Sequence, residues 1–294
     1  MCASHSQKHW TAALIGDNEV TLWSLAAGEA LHHQSIARSH PNPERDLSAA
    51  LHQAEVSKST PVLVCGLMSA SSSVAVPAKP ADLALSSWDL DGWQLQALPG
   101  FQQQNPTGLM QHGSAQIAGF LALNPKWDGV VCLPGEVTHW VQVSAAEVVS
   151  FQSTLTTSLY STLATSLALP ACWSESALAQ AVADTMSRPE RLASRLAELH
   201  ATLLVADQNT KDSNKPEATG LLWGYLLGAE LAAARAYWLG QNMALIAPDH
   251  LASPYMAGFA AQGLPVTQAQ PDRMALEGLK QAWRRSVGAS STSA

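Results

Sequence analysis

Two glycine-containing turns carry acidic residues whose type suits them for chemistry. Gly16-Asp-Asn18 separates two short extended runs, and Pro134-Gly-Glu136 follows a strand-like run in the second half of the chain. A carboxylate can position a metal ion or accept the proton of a hydroxyl group. Asp and Asn also favour turns for conformational reasons, so Asp17, and likewise Asp128, can be read as simple turn residues.

The cysteines and histidines form no pattern that identifies another kind of site. Cys2, Cys65, Cys132 and Cys172 are widely spaced, without a CxxC or Cys/His ligand spacing, which argues against a zinc site. We therefore expect no metal held by protein ligands alone. His139 can contact an anion when protonated, or can be a partly exposed strand residue. No Ser, His and Asp order identifies a catalytic nucleophile.

Short strands separated by turns occur twice along the chain. Residues 11–15, 20–25 and 30–36 form one series, and residues 129–135, 139–143 and 147–151 form another. Turns between alternating runs are typical of a β-meander. An apolar strand at 61–66 is typical of a buried strand in an α/β sheet. The repeated order predicts two related halves with a boundary near residue 125.

The second half then becomes helical. We predict a helix over 151–169, a loop over 209–216, a buried helix over 220–240, a strand over 243–247 and a closing helix over 271–283. Ser187 and Glu190 have the spacing of a capping box in front of a helix with a leucine stripe. Glu230 lies in an apolar helix, where an unpaired carboxylate is unfavourable. It is either a partnered structural residue or a residue that lines a cleft.

Several segments resemble the motifs of one enzyme family, in the same order along the chain. The segments are Ala12 to Leu25, Cys65-Gly66, Met110-Gln-His-Gly-Ser-Ala-Gln116, Leu133-Pro-Gly-Glu-Val-Thr-His-Trp-Val141, Phe151-Gln-Ser-Thr-Leu-Thr-Thr-Ser-Leu159, Trp223-Gly-Tyr-Leu-Leu-Gly-Ala-Glu-Leu231 and Leu251 to Gly263. Together they resemble the 2-dehydro-3-deoxygalactonokinase family, within the superfamily of actin, sugar kinases and heat-shock ATPases. The resemblance covers nearly the whole chain.

The resemblance implies an α/β fold of two related ribonuclease-H-like domains with a cleft between them. The expected domains are residues 1–125 and 126–294, with a disordered tail from about residue 287. It also implies that ATP and Mg²⁺ bind in the cleft and that the terminal hydroxyl of 2-dehydro-3-deoxy-D-galactonate is phosphorylated. On the same basis Gly16, Gly135 and Thr138 would bind the cofactor, and Gln116 would bind the substrate.

The chain departs from the family pattern at the positions expected to do the chemistry. Leu14 stands where the family has an aspartate, and Gly113 and Ser114 stand where it has two glutamates. The family segment Thr-His-Ser-Lys is replaced by Glu136-Val-Thr-His139. Because the matching residues are mostly core residues, we interpret the chain as a divergent member with degenerate active-site motifs, whose kinase chemistry is altered or absent.

Two other interpretations stay open. Asp17 and Glu136 lie in facing turns of the two expected domains, so they are candidates to compensate as catalytic carboxylates in a functional kinase. Alternatively, the chain is a non-catalytic pseudokinase that binds a sugar acid or pairs with a true kinase. The observation that would separate these alternatives is whether ATP binds and is turned over.

Composition excludes several other classes of function. The chain of 294 residues carries 16 Lys+Arg against 23 Asp+Glu, a formal net charge of -7, which gives no electrostatic footprint for nucleic acid or anionic lipid. The polar N-terminus lacks the apolar core of a signal peptide, and no run is long and apolar enough to span a membrane. We expect a cytoplasmic protein whose partner is a small-molecule sugar acid, and a homo-oligomer is a candidate state of assembly.

Overall fold

The chain divides into two compact units. The computed structural model describes residues 9–67, 73–207 and 215–292. The first unit contains the described residues up to Asp128, the segment Val143–Ser150 and the residues from Gln270 onwards. The second contains Gly129–Gln142 and Phe151–Ala269. The domain bounds 1–125 and 126–294 stay a proposal. The two compact units differ from them, because Val143–Ser150 and the residues from Gln270 onwards belong to the first unit.

The strands are short, and those in the described part of the chain fall into three sheets. Their bounds are β1 Trp10–Ile15, β2 Glu19–Ala26, β3 Glu29–Ala37, β4 Val62–Cys65, β5 Ser73–Ala75, β6 Ser86–Leu90, β7 Trp93–Leu98, β8 Gly100–Gln103, β9 Gly108–Met110, β10 Gly129–Leu133, β11 Thr138–Ser144, β12 Glu147–Thr154, β13 Met243–Ile246 and β14 Val266–Ala269. β5, β8 and β9 form a small sheet of their own in the first unit.

The helices lie mostly in the second unit. Their bounds are α1 Pro43–Gln53, α2 Gly113–Leu123, α3 Thr156–Ser166, α4 Glu175–Ser187, α5 Leu192–Asp207, α6 Lys215–Ala233, α7 Arg235–Trp238, α8 Asp249–Ala260 and α9 Pro271–Thr292. No helix among the residues with described positions is long and apolar enough to cross a membrane.

The first unit is built on a six-stranded sheet with the order β3-β2-β1-β4-β7-β6. β2 pairs antiparallel with β1 and with β3, whereas β4 pairs parallel with β1 and with β7. Every residue of β1 and β4 is buried. Burial on both faces explains why these strands are continuous apolar runs in the sequence.

A five-stranded sheet with the order β12-β11-β10-β13-β14 repeats this topology. β13 pairs parallel with β10 and with β14. In each of these two sheets three consecutive strands lie side by side, and a parallel strand from later in the chain lies on the other side of the first strand. The repeat predicted from the sequence is therefore present, and the α/β class with two ribonuclease-H-like sheets is confirmed.

In each unit two helices pack closely against each other at glycine residues. A side chain at Gly119 of α2 or at Gly278 of α9 would overlap the backbone of the other helix. Three glycines four residues apart, Gly220, Gly224 and Gly228, allow α6 to lie close to α4 and its N-cap. The core of the second unit packs around Trp140, Leu178 and Leu227, among others. The buried helix predicted over 220–240 is present as α6, but α6 begins at Lys215 and ends at Ala233, and the separate short helix α7 follows it.

The structure corrects several predicted elements. The single helix predicted over 151–169 is the end of β12 followed by α3, and the helix is shorter. Ser187 is not an N-cap, because it is the last residue of α4 and its hydroxyl donates to the Asp184 carbonyl oxygen over 2.8 Å. α9 continues to Thr292, although a disordered tail was expected from about residue 287. Most of the loop predicted over 209–216 lies outside the described residues.

Candidate functional site

The turn between β1 and β2 contains Gly16 and Asp17. The Gly16 N–H donates to the Glu19 carbonyl oxygen over 2.9 Å and closes the turn. At the end of the neighbouring β4, Gly66 has a φ of 103° and lies so close that a side chain there would overlap the Ile15 carbonyl group. Glycine is required at this position for both reasons. The surviving Gly66 of the family motif therefore has a backbone role in packing this turn.

Leu14 lies in the last-but-one position of β1, within a row of side chains that crosses the sheet. It is register partner to Thr21 on one side and to Cys65 on the other. Ser35 on β3 and Leu98 on β7 extend the row. Leu14 is only 5% exposed, so the position predicted from the sequence to match the family's aspartate is a buried apolar position. None of these five residues carries a carboxylate.

Arg38, at the residue after β3, binds the backbone of the same turn. Its Nη1 donates to the carbonyl oxygens of Gly16 over 2.9 Å and Asp17 over 3.2 Å. Its backbone N–H donates to the Asn18 carbonyl oxygen over 2.8 Å. Its Nε donates to Asp46 Oδ2 over 3.1 Å. Arg38 was not predicted from the sequence, because the spacing of a loop residue does not indicate that it contacts carbonyl groups more than twenty residues earlier in the chain.

The start of α2 adds buried polar groups to the first unit. Ser114 is fully buried, and Gln116 is 8% exposed. The Cys65 thiol lies 3.3 Å from the Ser114 hydroxyl, and burial raises the pKa of this thiol even though the Ser114 hydroxyl opposes the shift. The amide Nε2 of Gln111 is buried and has no hydrogen-bond partner among the described residues. A buried donor of this kind normally has an acceptor in the functioning molecule.

The corresponding turn of the second unit joins β10 to β11 and contains Gly135 and Glu136. Hydroxyl groups from the start of α3 bind its backbone: Thr157 Oγ1 donates to the Gly135 carbonyl oxygen, and Ser158 Oγ donates to the Glu136 carbonyl oxygen over 2.6 Å. Glu136 is exposed. The two turns thus share a feature, since in each one the carbonyl groups of the glycine and of the following acid are held by side chains.

Holding these carbonyl groups also fixes the direction of the next N–H groups. In a trans peptide the C=O of one residue and the N–H of the next point to opposite sides, and these peptides are trans. The N–H groups of Asp17 and Asn18 therefore point away from Arg38. In the same way the N–H groups of Glu136 and Val137 point away from α3. Successive N–H groups on one side of a turn form a concavity suited to an anion.

Thr138 lies at the start of β11 and is fully buried. Its hydroxyl bonds to the Tyr255 hydroxyl over 2.9 Å. Tyr255 donates in turn to Glu230 Oε2 over 3.1 Å. This hydroxyl, for which the resemblance implied cofactor binding, thus faces the core of its unit and takes part in a buried hydrogen-bond network.

Glu230 is the centre of that network. It is 3% exposed, and it accepts hydrogen bonds from Trp140 Nε1 over 2.8 Å, from Thr154 Oγ1 over 2.8 Å and from Tyr255. Burial raises the pKa of its carboxyl group, and the hydrogen bonds, including one from Thr156, oppose that rise. The expectation of a partnered structural glutamate is met.

His139, a candidate anion contact in the sequence, packs inside the second unit. His139 is only 5% exposed, so the expectation of a partly exposed strand residue is wrong. Its Nδ1 is 2.9 Å from the Ser153 hydroxyl, and its ring packs edge-on against Phe151. Sequence reasoning placed it on β11, but it could not show that both faces of that strand are covered.

The candidate residues fall into two groups, each within its own unit. Gly16 and Asp17 share the first turn, and Gln116 lies on α2 of the same unit. Gly135 and Glu136 share the second turn, with Thr138 directly after it. In the described ranges, no group of three or more His, Cys, Asp or Glu side chains is placed to hold a metal ion.

The family model for 2-keto-3-deoxy-galactonokinase matches residues 11–282. A relative from Rhizobium meliloti (strain 1021), named "Probable 2-dehydro-3-deoxygalactonokinase DgoK1", is 24% identical over 291 residues, which cover 92% of each chain.

Solved structures give the same result at the level of the fold. A Sinorhizobium meliloti protein named for the same activity has a TM-score of 0.81 at 22% identity, covering 94% of this chain and 96% of that one. Component A of (R)-2-hydroxyglutaryl-CoA dehydratase from Acidaminococcus fermentans has a TM-score of 0.56 at 13% identity, covering 95% and 99%. Because the family model spans nearly the whole chain, the protein belongs to the 2-keto-3-deoxy-galactonokinase family.

Proposed function

We propose that this sugar-kinase family member binds a sugar acid of the 2-dehydro-3-deoxy-D-galactonate class while its phosphoryl transfer is weak or absent. The observation that carries the proposal is Leu14, which is buried at the end of β1 where the family motif has an aspartate. Leucine can neither hold a metal ion nor accept a proton. Replacing the aspartate by leucine therefore removes a group needed for the chemical step and leaves the fold intact.

The surroundings of Leu14 do not fit Mg²⁺. This ion prefers carboxylate and water oxygens in octahedral geometry, whereas the neighbours of Leu14 across the sheet are Thr21 and Cys65. Burial also raises the pKa of the Cys65 thiol, so that group stays neutral. ATP and Mg²⁺ are the cofactors that the kinase name implies, and we assign no step to them at this position.

Binding of a sugar acid is supported by the start of α2. Ser114 and Gln116 are buried polar residues there, and the Gln111 amide Nε2 is a buried donor that lacks a partner among the described residues. A sugar acid offers hydroxyl and carboxylate oxygens as acceptors.

The expected cytoplasmic location and homo-oligomeric state stay predictions, which cell fractionation and sedimentation would test.

A functional kinase is the second candidate, and the anchored turns favour it. Arg38 holds the turn that contains Asp17, and Thr157 and Ser158 hold the turn that contains Glu136. A chain without any use for these turns has no need to keep their backbones fixed. In this candidate Asp17 and Glu136 replace the missing aspartate.

A coupled assay for ADP release, with the sugar acid and Mg²⁺–ATP as substrates, separates the two candidates. We expect turnover at the background level for the natural chain and for Asp17→Ala and Glu136→Gln. Glu19→Gln is the matched control, because Glu19 is an exposed acid beside the same turn as Asp17. Turnover well above background that Asp17→Ala abolishes and Glu19→Gln preserves would replace the proposal with the functional kinase.

A further inference from the structure

We propose that Arg38 and Asp46 form a positioning pair that sets the backbone geometry of the β1–β2 turn. Neither residue belongs to a family motif that the sequence analysis identified. Arg38 does not act on a ligand directly in this proposal; it acts through the peptide groups of Gly16, Asp17 and Asn18. This inference rests on the proposed function in one respect only, which is the identity of the ligand that the N–H groups of the turn would bind.

The guanidinium group of Arg38 lies against the carbonyl groups of the turn. A single nitrogen, Nη1, donates to two successive carbonyl oxygens of the turn, at 2.9 Å and 3.2 Å. The backbone N–H of Arg38 donates to the third, on Asn18, over 2.8 Å. Arg38 therefore contacts every carbonyl group from residue 16 to residue 18. A planar fork with five N–H donors suits this arrangement, whereas a lysine ammonium group offers only a compact point charge.

Asp46 holds a fixed position beside Arg38. Its side chain is 3% exposed, and its Oδ1 accepts from the backbone N–H groups of Ser39 over 3.0 Å and His40 over 3.1 Å. Burial opposes ionisation, but the hydrogen bonds from Ser39, Arg38 and His40 outweigh it and lower the pKa of Asp46. An ionised carboxylate held in this way fixes the direction of the Arg38 side chain.

The charges of Arg38 and Asp46 oppose each other. Asp46 neutralises Arg38 at 3.1 Å, and the turn itself carries Asp17. The pair therefore adds no net positive charge that would attract an anion, which separates a positioning role from direct binding. What it supplies is direction, because the N–H groups of Asp17 and Asn18 point away from the guanidinium group and can meet the oxygens of a carboxylate or phosphate.

The test measures hydrogen exchange at single amides and binding of two probes. In Arg38→Lys and Asp46→Asn we expect exchange at the Gly16 amide and at the residue 38 amide to rise by about tenfold or more, since charged hydrogen bonds are lost. Amides in the middle of β1, such as Ala13, should not change. Arg45→Ala is the matched control, because Arg45 is an exposed arginine next to Asp46.

The binding arm uses the sugar acid and inorganic pyrophosphate as separate probes in calorimetry, so that a carboxylate ligand and a phosphate ligand are distinguished. We expect at least about tenfold weaker binding of the recognised probe in Arg38→Lys than in Arg45→Ala. Unchanged exchange at Gly16, or equally faster exchange throughout the first unit, would overturn the positioning role. If the natural chain binds neither probe, the proposed function fails, and the exchange measurement alone decides the role of Arg38.

Discussion

Replacing Glu230 tests the buried network most sharply, and the structure gives the size of the effect. In Glu230→Leu the Trp140 indole N–H loses its acceptor while fully buried. The hydroxyls are less affected, because Tyr255 can donate to Thr138 at 2.9 Å. Leaving this one buried donor without an acceptor lowers the free energy of unfolding by about 1–3 kcal/mol.

Glu230→Gln is the matched variant that keeps the shape of the side chain. Its amide oxygen can accept from the Trp140 indole, and its NH₂ group can donate to the hydroxyls of Thr154 and Tyr255 after these rotate. Every polar group in the network then has a partner, so we expect a change of less than about 1 kcal/mol in the free energy of unfolding. The assay is urea denaturation followed by tryptophan fluorescence.

The natural chain and Glu230→Gln should differ in how their free energy of unfolding depends on pH. Because burial raises the pKa of Glu230, the folded state binds the proton more tightly than the unfolded chain does. Its contribution to stability is therefore present at low pH and is lost as the pH rises from the ordinary glutamate pKa through the raised one. Relative to Glu230→Gln, the natural chain should lose stability over that interval.

Two results would refute this reasoning about Glu230. One is a Glu230→Leu variant as stable as the natural chain, which would mean that the Trp140 indole finds another acceptor or that the hydrogen bond has no net value. The other is a difference from Glu230→Gln that does not change with pH, which would mean that the carboxyl group titrates in the same way in the folded and unfolded states.

Three further predictions concern thiols and glycines. Exposed Cys172 should react with a thiol reagent in the native protein, whereas Cys65 should react only after unfolding, since burial raises its pKa; peptide mapping that finds native Cys65 labelled would contradict this. Gly66→Ala should lower the free energy of unfolding by more than about 2 kcal/mol, against about 1 kcal/mol for Gly92→Ala, which also has positive φ but open space; equal losses in urea titrations would refute the contact. Gly278→Ala should lower it by about 1–3 kcal/mol by pushing α9 from α2, and an unchanged melting temperature would argue against that close contact.

The sequence predicted the strands of both meanders well, because their apolar runs end at turns. It could not predict the role of Thr138, since a hydroxyl that binds a ligand and one that faces a core have the same local sequence. Arg38 was missed for a related reason. The carbonyl groups that it binds lie about twenty residues earlier in the chain, and only the folded sheet, in which β2 lies between β1 and β3, brings the end of β3 to the β1–β2 turn.

Ser187 shows the limit of a local motif. The spacing to Glu190 fits a capping box, yet α4 extends through Ser187 and the following Pro189 begins a separate short helical turn. A preceding helix competes for the same residue, and the last turns of α4 pack closely on α6, where Gly228 lies against Val182 and Thr185. Packing of this kind depends on residues far apart in the chain, so a short window of sequence does not contain it.

The measurement that tests the central claim most directly is calorimetric titration of the natural chain with 2-dehydro-3-deoxy-D-galactonate and, separately, with Mg²⁺–ATP. The account predicts saturable heat with the sugar acid and no saturable heat with Mg²⁺–ATP, because Leu14 and its neighbours supply no carboxylate for the metal. Tight binding of Mg²⁺–ATP would contradict it.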